Sequence, residues 1–392
     1  MKLGEIVEKP ISGEWGDEDL DGVGVPVLRT TNFTNEGVLN LDSVVTRLIA
    51  REKCEKKYLR FGDIIIEKSG GSDKQPVGRV VFYDGLERQF LFNNFTATLR
   101  VKENLLFDKK FLFYVLYAAY RRGGTEPYQN KTTGIRNLQL QRYLNELEVP
   151  APPLAEQERI AAELDAVVAT LKKRQAQLAE LNVLVEARFV ELFGDPATNP
   201  KGWPPKAIKT LFDLVSRGKQ PAYIENSFIA VVNQACIYND FFKFQNLKYF
   251  DPTSNKKTLE IQEGDILVNS TGTGTLGRCN IFVPTDAKTY VIDSHVTLLR
   301  PSKVILPLFF KVFFLAQPTQ ERFYADCVSG STNQIELSKE KFLRFEIPLP
   351  PLELQERFAA EVERVEALKT TVRAGIAETQ TLFDALTQRY FG

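Results

Sequence analysis

Residues of the types that catalyse reactions or bind metal ions are scarce in this sequence, and their spacing does not suit chemistry. The 392 residues include one histidine, His295, and four cysteines. The cysteines lie dozens of residues apart without a Cys-x-x-Cys pair, at Cys54, Cys236, Cys279 and Cys327. Histidine-based triads, zinc sites and a disulfide framework are therefore not expected. We interpret the cysteines as reduced structural thiols and His295 as a packed residue of a strand covering 291–299.

One glycine-rich segment, GTGTLG at 272–277, matches the G-x-G-x-x-G pattern of nucleotide-binding loops. In such sites the loop leads into a helix whose N-terminus receives a phosphate. The residues that follow here, 278–284, have the pattern of another strand, so a tight glycine turn between strands is the better interpretation. The sequence also lacks a Walker lysine motif, an Asn/Asp-Pro-Pro-Tyr motif and clustered acidic residues. We therefore predict no catalytic residues and no metal ligands.

A long internal repeat is the strongest signal in the sequence. VPAPPLAEQERIAAEL at 149–164 returns as IPLPPLELQERFAAEV at 347–362, which is 198 residues later. The correspondence continues without a gap to Gly194 and Gly392. Each copy has a Pro-Pro suited to a helix start, no proline after it, and a glycine suited to a C-terminal cap. These features predict two long helices of about 38 residues, about 57 Å each at about 1.5 Å per residue.

Both predicted helices have apolar residues at alternating steps of four and three, which is the pattern of a coiled-coil seam. The seam positions of the first helix are Ile160, Leu164, Val167, Leu171, Arg174, Leu178, Leu181, Val185, Arg188 and Leu192. Those of the second are Phe358, Val362, Val365, Lys369, Val372, Ile376, Thr379, Phe383, Leu386 and Tyr390. A narrow seam cannot be buried by one helix, so we expect the helices to pair. The alternative is that each packs on its own domain.

The segments ahead of the helices repeat more loosely. FGDIIIEKSG at 61–70 corresponds to EGDILVNSTG at 263–272, and the Gly-Arg pair at 78–79 corresponds to that at 277–278. Each segment has the pattern of short strands, then one helix, then a strand that returns to Pro-Pro, which is an α+β arrangement. We predict two similar globular domains, at 1–150 and 195–347, with the long helices at 151–194 and 348–392.

Composition gives weaker indications. The chain has 50 basic and 50 acidic residues, but the two domain segments carry a small positive excess and the two helices a matching negative one. This is weak evidence for DNA contact by the domains. The longest apolar run, 304–316, is interrupted by Pro307 and Lys311 and is too short for a membrane span. The first residues have no signal-peptide core, so a cytoplasmic protein is expected.

The doubled PPLxxQER motif, each copy preceded by a domain with GDIL…STG…GR elements, resembles the specificity subunit of type I restriction-modification enzymes across essentially the whole chain. The resemblance implies a non-catalytic subunit of a DNA methyltransferase and endonuclease complex. Each domain would be a target recognition domain that reads one half of a bipartite duplex DNA site. One departure is that the first domain starts at Leu3 without a counterpart of GWPPK at 202–206.

The resemblance also implies the helix arrangement and the partners. The helices would form an antiparallel coiled coil, set the spacing between the domains and dock two methyltransferase subunits. Restriction subunits with ATP-driven translocase activity would join them. No cofactor is expected in this chain, whereas S-adenosylmethionine, ATP and Mg²⁺ are expected on the partner subunits.

Candidate DNA contacts are polar or basic residues on glycine-marked loops, because Arg and Lys suit guanine and phosphate while Asn and Gln suit adenine. In the first domain they are Lys68, Ser69, Lys74, Arg79, Lys131, Thr133 and Arg136. In the second they are Lys219, Asn269, Thr271, Thr273, Arg278, Ser331, Asn333 and Gln334. Each is equally well interpreted as a solvated loop residue, and Arg79 and Arg278 as structural residues. The competing hypotheses are a non-catalytic coiled-coil scaffold that binds proteins through its globular ends, and a stand-alone DNA-modifying enzyme.

Overall fold

A computed structural model of the protein describes residues 1–72, 75–132, 135–330 and 335–392, with only the backbone at 131 and 132. The chain divides into two compact units, residues 1–174 with 375–392 and residues 175–374. The division falls within the two long helices. Each unit therefore contains one α+β domain and a part of both helices.

The first half of the chain forms a domain of short strands and helices that ends in a long helix. Its helices are α1 (Leu3–Ile6), α2 (Arg51–Lys57), α3 (Lys109–Arg121), α4 (Leu140–Glu146) and α5 (Leu154–Phe193). Its strands are β1 (Ile11–Ser12), β2 (Asp17–Glu18), β3 (Val25–Leu28), β4 (Val45–Leu48), β5 (Ile64–Glu67), β6 (Ser69–Gly71), β7 (Val80–Phe82), β8 (Leu91–Phe92), β9 (Thr96–Leu99), β10 (Gln129–Thr132) and β11 (Ile135–Leu138). They form sheets in the orders β1-β9-β5-β7, β2-β4-β3-β8 and β10-β11-β6.

The second half repeats this plan. Its helices are α6 (Ile208–Leu211), α7 (Pro307–Leu315), α8 (Gln317–Cys327), α9 (Lys339–Arg344) and α10 (Leu352–Phe391). Its strands are β12 (Pro205–Ala207), β13 (Phe212–Arg217), β14 (Tyr223–Ile224), β15 (Ile229–Val232), β16 (Lys248–Phe250), β17 (Leu259–Glu260), β18 (Ile266–Asn269), β19 (Cys279–Ile281), β20 (Thr289–Ile292), β21 (Val296–Pro301), β22 (Val328–Ser329), β23 (Glu336–Leu337) and β24 (Glu346–Pro348). The main sheets have the orders β13-β21-β18-β19 and β14-β16-β15-β20-β17. The predicted α+β class is confirmed.

The second domain departs from the prediction of one helix, because α7 and α8 are separate. Ala316 between them has an extended backbone with ψ 135°. Pro318 lies in the first turn of α8, and a continuous helix would leave it inside, where it cannot donate a backbone hydrogen bond. The Gln320 amide donates to the Phe314 carbonyl at 2.7 Å, which satisfies one carbonyl at the end of α7.

A matched buried ion pair explains the repeated Gly-Asp element. Asp63 and Asp265 are each 1% exposed, and the guanidinium groups of Arg100 and Arg300 bind them at 2.7 Å. Each carboxylate also accepts a backbone N–H bond three residues upstream, from Arg60 at 2.8 Å and its counterpart at 2.7 Å. The glycine before each aspartate has a positive φ, 90° and 84°, which favours glycine. These residues therefore stabilise the turn into β5 and β18.

The two long helices pair in opposite directions within each unit. In the first unit the Tyr390 hydroxyl donates to Glu163 at 2.7 Å, and the Arg174 guanidinium donates to the Gly375 carbonyl. In the second unit the guanidinium of Arg188 binds Glu361 at 2.7 Å. Residue numbers rise along α5 as they fall along α10, so the pairing is antiparallel. Every predicted seam position is buried or half-buried, which confirms the coiled-coil seam.

Each helix also packs on the domain of the unit, so the alternative interpretation holds in part. In the first unit the ring of Phe383 lies 6.2 Å and 5.9 Å from the rings of Tyr114 and Tyr117 on α3. In the second, the seam residue Phe358 lies in one buried cluster with Phe309 on α7. Phe189 and Phe193, which flank the seam of α5, contact Phe309 at 5.7 Å and 4.9 Å between ring centroids. The seam is therefore shared between the partner helix and the helix of the domain.

The glutamine of each PPLxxQER motif joins two segments of the chain through side-chain hydrogen bonds to the backbone. Gln355 is fully buried, and its amide oxygen accepts from the Leu306 amide at 2.9 Å. Its amide nitrogen donates to the carbonyls of Val304 at 3.1 Å and Pro350 at 2.9 Å. Gln157 makes the corresponding bonds, to the Asp108 amide and a proline carbonyl. The motif thus joins the start of each long helix to the start of the helix in its domain.

Two expectations need correction. His295 is not a packed strand residue: the run 291–299 is broken by a turn, and His295 is exposed there between β20 and β21. The break follows from Asp293, whose carboxylate accepts the His295 amide at 2.8 Å, in the way that Asx turns form. The edge strand β12, in the GWPPK region, does have a first-domain counterpart, because Lys2 forms an isolated antiparallel bridge with Glu148.

We predict that Gln355→Ala lowers the free energy of unfolding by about 2–4 kcal/mol, because one buried amide and two carbonyls lose their partner. The measurement is urea unfolding followed by circular dichroism. The matched control is Glu356→Ala, an exposed neighbour in the same motif, which should change stability by less than about 0.5 kcal/mol. Equal effects of the two variants would contradict the structural role of the glutamine.

Candidate functional site

The described part of the chain has few features of a catalytic centre. Within it no group of three or more His, Cys, Asp or Glu side chains is arranged to bind a metal ion, and no helix is long and apolar enough to cross a membrane. All four cysteines are free and buried. Burial raises the pKa of Cys236 to about 11 and that of Cys279 to about 12. These thiols are protonated near neutral pH, and protonated thiols are poor nucleophiles and metal ligands.

In the first domain the two predicted recognition loops form one small sheet. Strand β11 pairs with β10 and with β6, and the partners across β11 and β6 are Arg136 with Gly71 and Asn137 with Ser69. The Ser69 hydroxyl donates to the Asn137 amide oxygen at 2.5 Å. Arg136 and Ser69 therefore lie in one neighbourhood, although 67 residues separate them in the sequence.

The basic candidates of the first domain differ in how much surface they offer. Lys68 is half-buried, burial lowers its pKa, and its ammonium donates to Ser12 Oγ at 2.5 Å. Arg79 is held inside: its guanidinium binds Glu67 at 2.9 Å and donates to the carbonyls of Phe33 and Thr30, both at 3.1 Å. The structure thus supports a structural role for Arg79 rather than DNA contact.

In the second domain the GTGTLG segment forms a turn between β18 and β19, as predicted. Gly272, Gly274 and Gly277 have φ values of 96°, 79° and 81°, which L side chains rarely adopt. The segment lies beside residues 335–337: Thr271 forms a bridge with Glu336, and the Leu337 amide donates to the Ser270 carbonyl at 2.8 Å. The glycine turn thus lies against residues 335–337, which follow the candidate contacts Ser331, Asn333 and Gln334 in the sequence.

The remaining candidates of the second domain divide into buried and accessible residues. Asn269 is fully buried as the last residue of β18, and its amide donates to the Gln234 carbonyl at 3.1 Å. It therefore cannot reach a DNA groove in this arrangement, and its prediction is not supported. Arg278 lies over the Tyr238 ring at 4.7 Å and donates to the Gly274 carbonyl at 3.2 Å. The accessible candidates are Lys219 and Thr273, which are exposed, and Thr271, which is half-buried.

Six predicted contacts lie wholly or partly outside the described residues. For one of them, on β10, only the backbone is described. These residues are Lys74, Lys131, Thr133, Ser331, Asn333 and Gln334.

The sequence reasoning missed a turn beside each recognition loop. In the first domain this turn is Asn93, Asn94 and Phe95, between β8 and β9, and the Phe95 carbonyl accepts the amides of Lys68 at 2.8 Å and Ser69 at 3.2 Å. In the second domain the turn ends at His295, whose carbonyl accepts the Ser270 amide at 2.8 Å. The 200-residue offset that relates Arg100 to Arg300 also relates these turns, and this was the available signal.

A charged pair also lies at this corner of the second domain. Arg217, the last residue of β13, donates to the Ser294 carbonyl at 2.5 Å and forms an ion pair with Glu336. Burial lowers the pKa of Arg217 and raises that of the Asp293 carboxyl. The cation thus joins the turn to β23, which lies beside the glycine turn.

Comparison with known proteins agrees with this architecture. The chain is 22% identical over 385 residues to the EcoKI type I restriction enzyme specificity subunit of Escherichia coli, covering 93% of this chain and 80% of that one. It is also 22% identical over 388 residues to a Methanocaldococcus jannaschii protein assigned as the MjaX specificity subunit, covering 94% and 86%.

Two solved structures share the fold over the whole chain. One is a chain from a type I restriction-modification system, with a TM-score of 0.57 and 18% identity, of which 96% is covered. The other is the type I S subunit from M. genitalium, with a TM-score of 0.55 and 18% identity, of which 95% is covered.

The model of the type I restriction modification DNA specificity domain matches the chain twice, at residues 1–182 and 200–379. Each match contains one domain with its recognition loops and most of the long helix that follows it. The two copies agree with the internal repeat and with the matched ion pairs. The protein therefore belongs to the type I restriction-modification DNA specificity family and carries two specificity domains.

Proposed function

We propose that this chain is the DNA-recognition subunit of a type I restriction-modification complex, and that each domain reads one half of a bipartite duplex site. The observation that carries the proposal is that each domain has a complete scaffold of its own. The pairs Asp63–Arg100 and Asp265–Arg300 stabilise corresponding turns, while the adjoining loops differ in sequence and length. Such a division between a shared scaffold and variable loops is typical of recognition proteins.

We further propose that the chain itself is not catalytic and holds no cofactor. Its free thiols are buried and its recognition loops carry no clustered acids. In this proposal the methyltransferase subunits bind S-adenosylmethionine, and the restriction subunits use ATP and Mg²⁺. The chain supplies position: its loops hold the complex at a defined sequence, where the partner subunits react.

The long helices are proposed to set the distance between the half-sites. Each helix has 40 residues, about 60 Å at about 1.5 Å per residue. That length corresponds to at most about 18 base pairs at about 3.4 Å each. The half-sites would then be separated by bases that neither domain reads.

The helices also offer two equivalent surfaces for two copies of one partner. Leu184 on α5 and Leu382 on α10 are related by the 198-residue offset, and they are 44% and 49% exposed. Each is followed after three residues by an exposed alanine, Ala187 and Ala385. The two copies of the repeat thus present the same apolar pair to solvent, once on each helix. We propose that each leucine contacts one methyltransferase subunit.

The central test of this function is replacement of one domain. Residues 1–150 are exchanged for the matching domain of a relative, and the methylated sequence is mapped in cells that express the partner subunit. We expect one half of the modified site to change, because each domain has its own scaffold and loops. The control exchanges residues 195–347 and should change the other half. A change of both halves by either exchange would contradict independent reading.

The docking proposal predicts the composition of the purified complex. The pure chain should transfer no methyl groups to DNA, and added methyltransferase subunits should supply the activity. Leu184→Asp and Leu382→Asp should each remove one of the two methyltransferase subunits, because a charge replaces an apolar contact. Native mass spectrometry measures the stoichiometry.

A matched control for docking is Val183→Asp. Val183 is exposed on the same helix, but its counterpart in the repeat is Thr381. This variant should keep both methyltransferase subunits. Loss of a subunit from the Val183 variant, or full complexes from both leucine variants, would contradict the matched docking surfaces.

The spacing proposal predicts the result of lengthening both helices. Seven residues are inserted after Leu178 and after Val372, which lie on the same stretch of the pair, between the Arg188–Glu361 and Arg174–Gly375 contacts. The insertion keeps the seam nearly aligned and adds about 10.5 Å, a length of about three base pairs. Three base pairs also rotate the distal half-site by roughly 105°.

We therefore expect a spacer that is longer by about one to three base pairs, weaker binding and unchanged half-sites, as mapped by modified-base sequencing. Insertion into one helix alone is the control, and it should abolish activity because it shifts the seam register. An unaltered spacer at full activity in the double insertion would show that the helices do not set the distance.

A further inference from the structure

The turn before β9 and the turn before β21 are corresponding parts of the two domains. In the first domain β9 pairs with β1 and β5, with Ser12 opposite Ala97 and Ile65 opposite Thr98. In the second domain β21 pairs with β13 and β18 in the same way. The residue that precedes the strand is Phe95 in the first case and His295 in the second. The two domains thus present different rings at one matched position.

A glycine at the end of the neighbouring strand packs against each turn; we call it the crossing glycine. A Cβ atom on Gly13 would lie 2.0 Å from the Asn93 carbonyl oxygen, and a Cβ atom on Gly218 would lie 2.1 Å from the Asp293 carbonyl oxygen. The backbone of each glycine lies directly against the turn, so a residue with a side chain does not fit at Gly13 or at Gly218. Both turns are further closed by a backbone bond, from Thr96 to Asn93 at 3.0 Å and its counterpart at 3.4 Å.

The turns also anchor the recognition loops, because the amides of Lys68 and Ser69 donate to the Phe95 carbonyl and the amide of Ser270 donates to the His295 carbonyl. The backbone that carries each ring is therefore held beside the loop. A side chain on a backbone that is already ordered loses less conformational entropy on binding than one on a flexible segment.

Both rings reach solvent beside a buried strand. Phe95 is 46% exposed, although Thr96 beside it is fully buried. His295 is exposed, and its Nδ1 atom forms a hydrogen bond with Thr271 Oγ1 at 2.8 Å. Its Nε2 atom has no partner among the described residues.

Positive charge flanks both turns. In the first domain the ammonium of Lys68 contacts Ser12, which faces the residue two places after Phe95. In the second domain the exposed Lys219 follows the crossing glycine, whereas Arg217, at the position that corresponds to Ser12, is ion-paired with Glu336. Cations beside an exposed ring are typical of surfaces that meet the DNA backbone and reach a base.

We propose that Phe95 and His295 are matched base contacts, one in each domain, and that they discriminate one base pair in each half-site. The proposal rests on the half-site reading proposed above. Phe95 has no hydrogen-bonding atom, so it contacts a thymine methyl group or a base face. His295 is held through Nδ1 and offers Nε2 to a polar atom on a base edge. The two half-sites are thus discriminated at this point by different chemistry.

The test uses the full chain with its methyltransferase partner, in the variants Phe95→Ala and His295→Ala. Modified-base mapping should show that Phe95→Ala relaxes one position in the half-site read by residues 1–150 and leaves the other half unchanged. His295→Ala should relax one position in the other half-site only. Affinity for the wild-type duplex should fall about 5- to 100-fold in each case. The thermal unfolding midpoints should fall by at most about 4 °C, because each ring is only partly buried.

Exchange of the rings sharpens the test. Phe95→His and His295→Phe should change the preferred base at the relaxed position, whereas a ring with only a structural role would leave the preference as it is. The matched control is Phe228→Ala, an exposed phenylalanine that precedes β15 in the second domain and whose carbonyl accepts from Thr289 of β20 rather than from a recognition loop. It should leave the modified sequence and the affinity unaltered.

The outcomes separate this inference from the proposed function. If the wild-type complex modifies no bipartite site, the proposed function fails and this inference fails with it. If the wild-type complex modifies a bipartite site, but both alanine variants keep its sequence and affinity, the inference alone is overturned. A relaxed position confined to the expected half-site in each variant supports it.

Discussion

The narrow seam of the two long helices is the constraint on which the rest of the structure depends. A helix with apolar residues on one stripe must bury that stripe against something else. Here the ends of each seam are covered by the partner helix and by a domain helix, through residues such as Phe383 and Phe189. Between these ends the seam carries Arg174, Lys369 and Thr379. Its register must therefore be specified by polar contacts as well as by apolar area.

The polar centre of the seam provides that specification. Arg174 donates to the Gly375 carbonyl and to Thr379 across the pair. A Cβ atom at Gly375 would lie 2.7 Å from the Arg174 Nη1 atom, so the glycine makes room for the guanidinium. Lys369 is buried and its ammonium binds Glu366 at 2.7 Å. That ion pair lies within α10 and does not depend on the register, whereas a slip of one heptad would separate the half-buried Arg174 guanidinium from the Gly375 carbonyl and from Thr379, so the observed register is favoured.

The sequence predicts correctly the features that depend on local periodicity. Its predictions are wrong at residues whose position is determined by a contact with another part of the domain. The seam and the helix ends were visible because helical spacing is a property of neighbouring residues. The sequence predicts His295 within a strand because 291–299 is rich in apolar and β-branched residues, whereas Asp293 closes a turn within that run. The sequence predicts Asn269 on a loop because it follows an apolar run. In the structure Asn269 is the last residue of β18, and its buried amide donates to the Gln234 carbonyl.

The contrast between Glu67 and Asn269 explains how the two domains keep one scaffold while their surfaces differ. These residues end the corresponding strands β5 and β18. In the first domain Glu67 holds the guanidinium of Arg79, which reaches on to the Thr30 carbonyl. In the second, the shorter Asn269 contacts a backbone carbonyl directly, and Arg278, which corresponds to Arg79, lies over the half-buried ring of Tyr238. The end of the strand therefore carries a buried ion pair in the first domain. In the second domain the corresponding arginine, Arg278, has no such carboxylate partner among the described residues and is half-buried.

This difference at the ends of β5 and β18 does not affect the turns that lead into those strands. The Asp63–Arg100 and Asp265–Arg300 pairs, which stabilise those turns, lie at the opposite end of each strand. The stabilising ion pairs lie where the strand begins, and the variable polar residues lie where it ends, beside the recognition loops. Substitutions at the loop end can therefore alter charge and shape without removing the bonds that hold the sheet together. A fold that separates its stabilising residues from its variable surface in this way can change the sequence it recognises while the helices and their register remain the same.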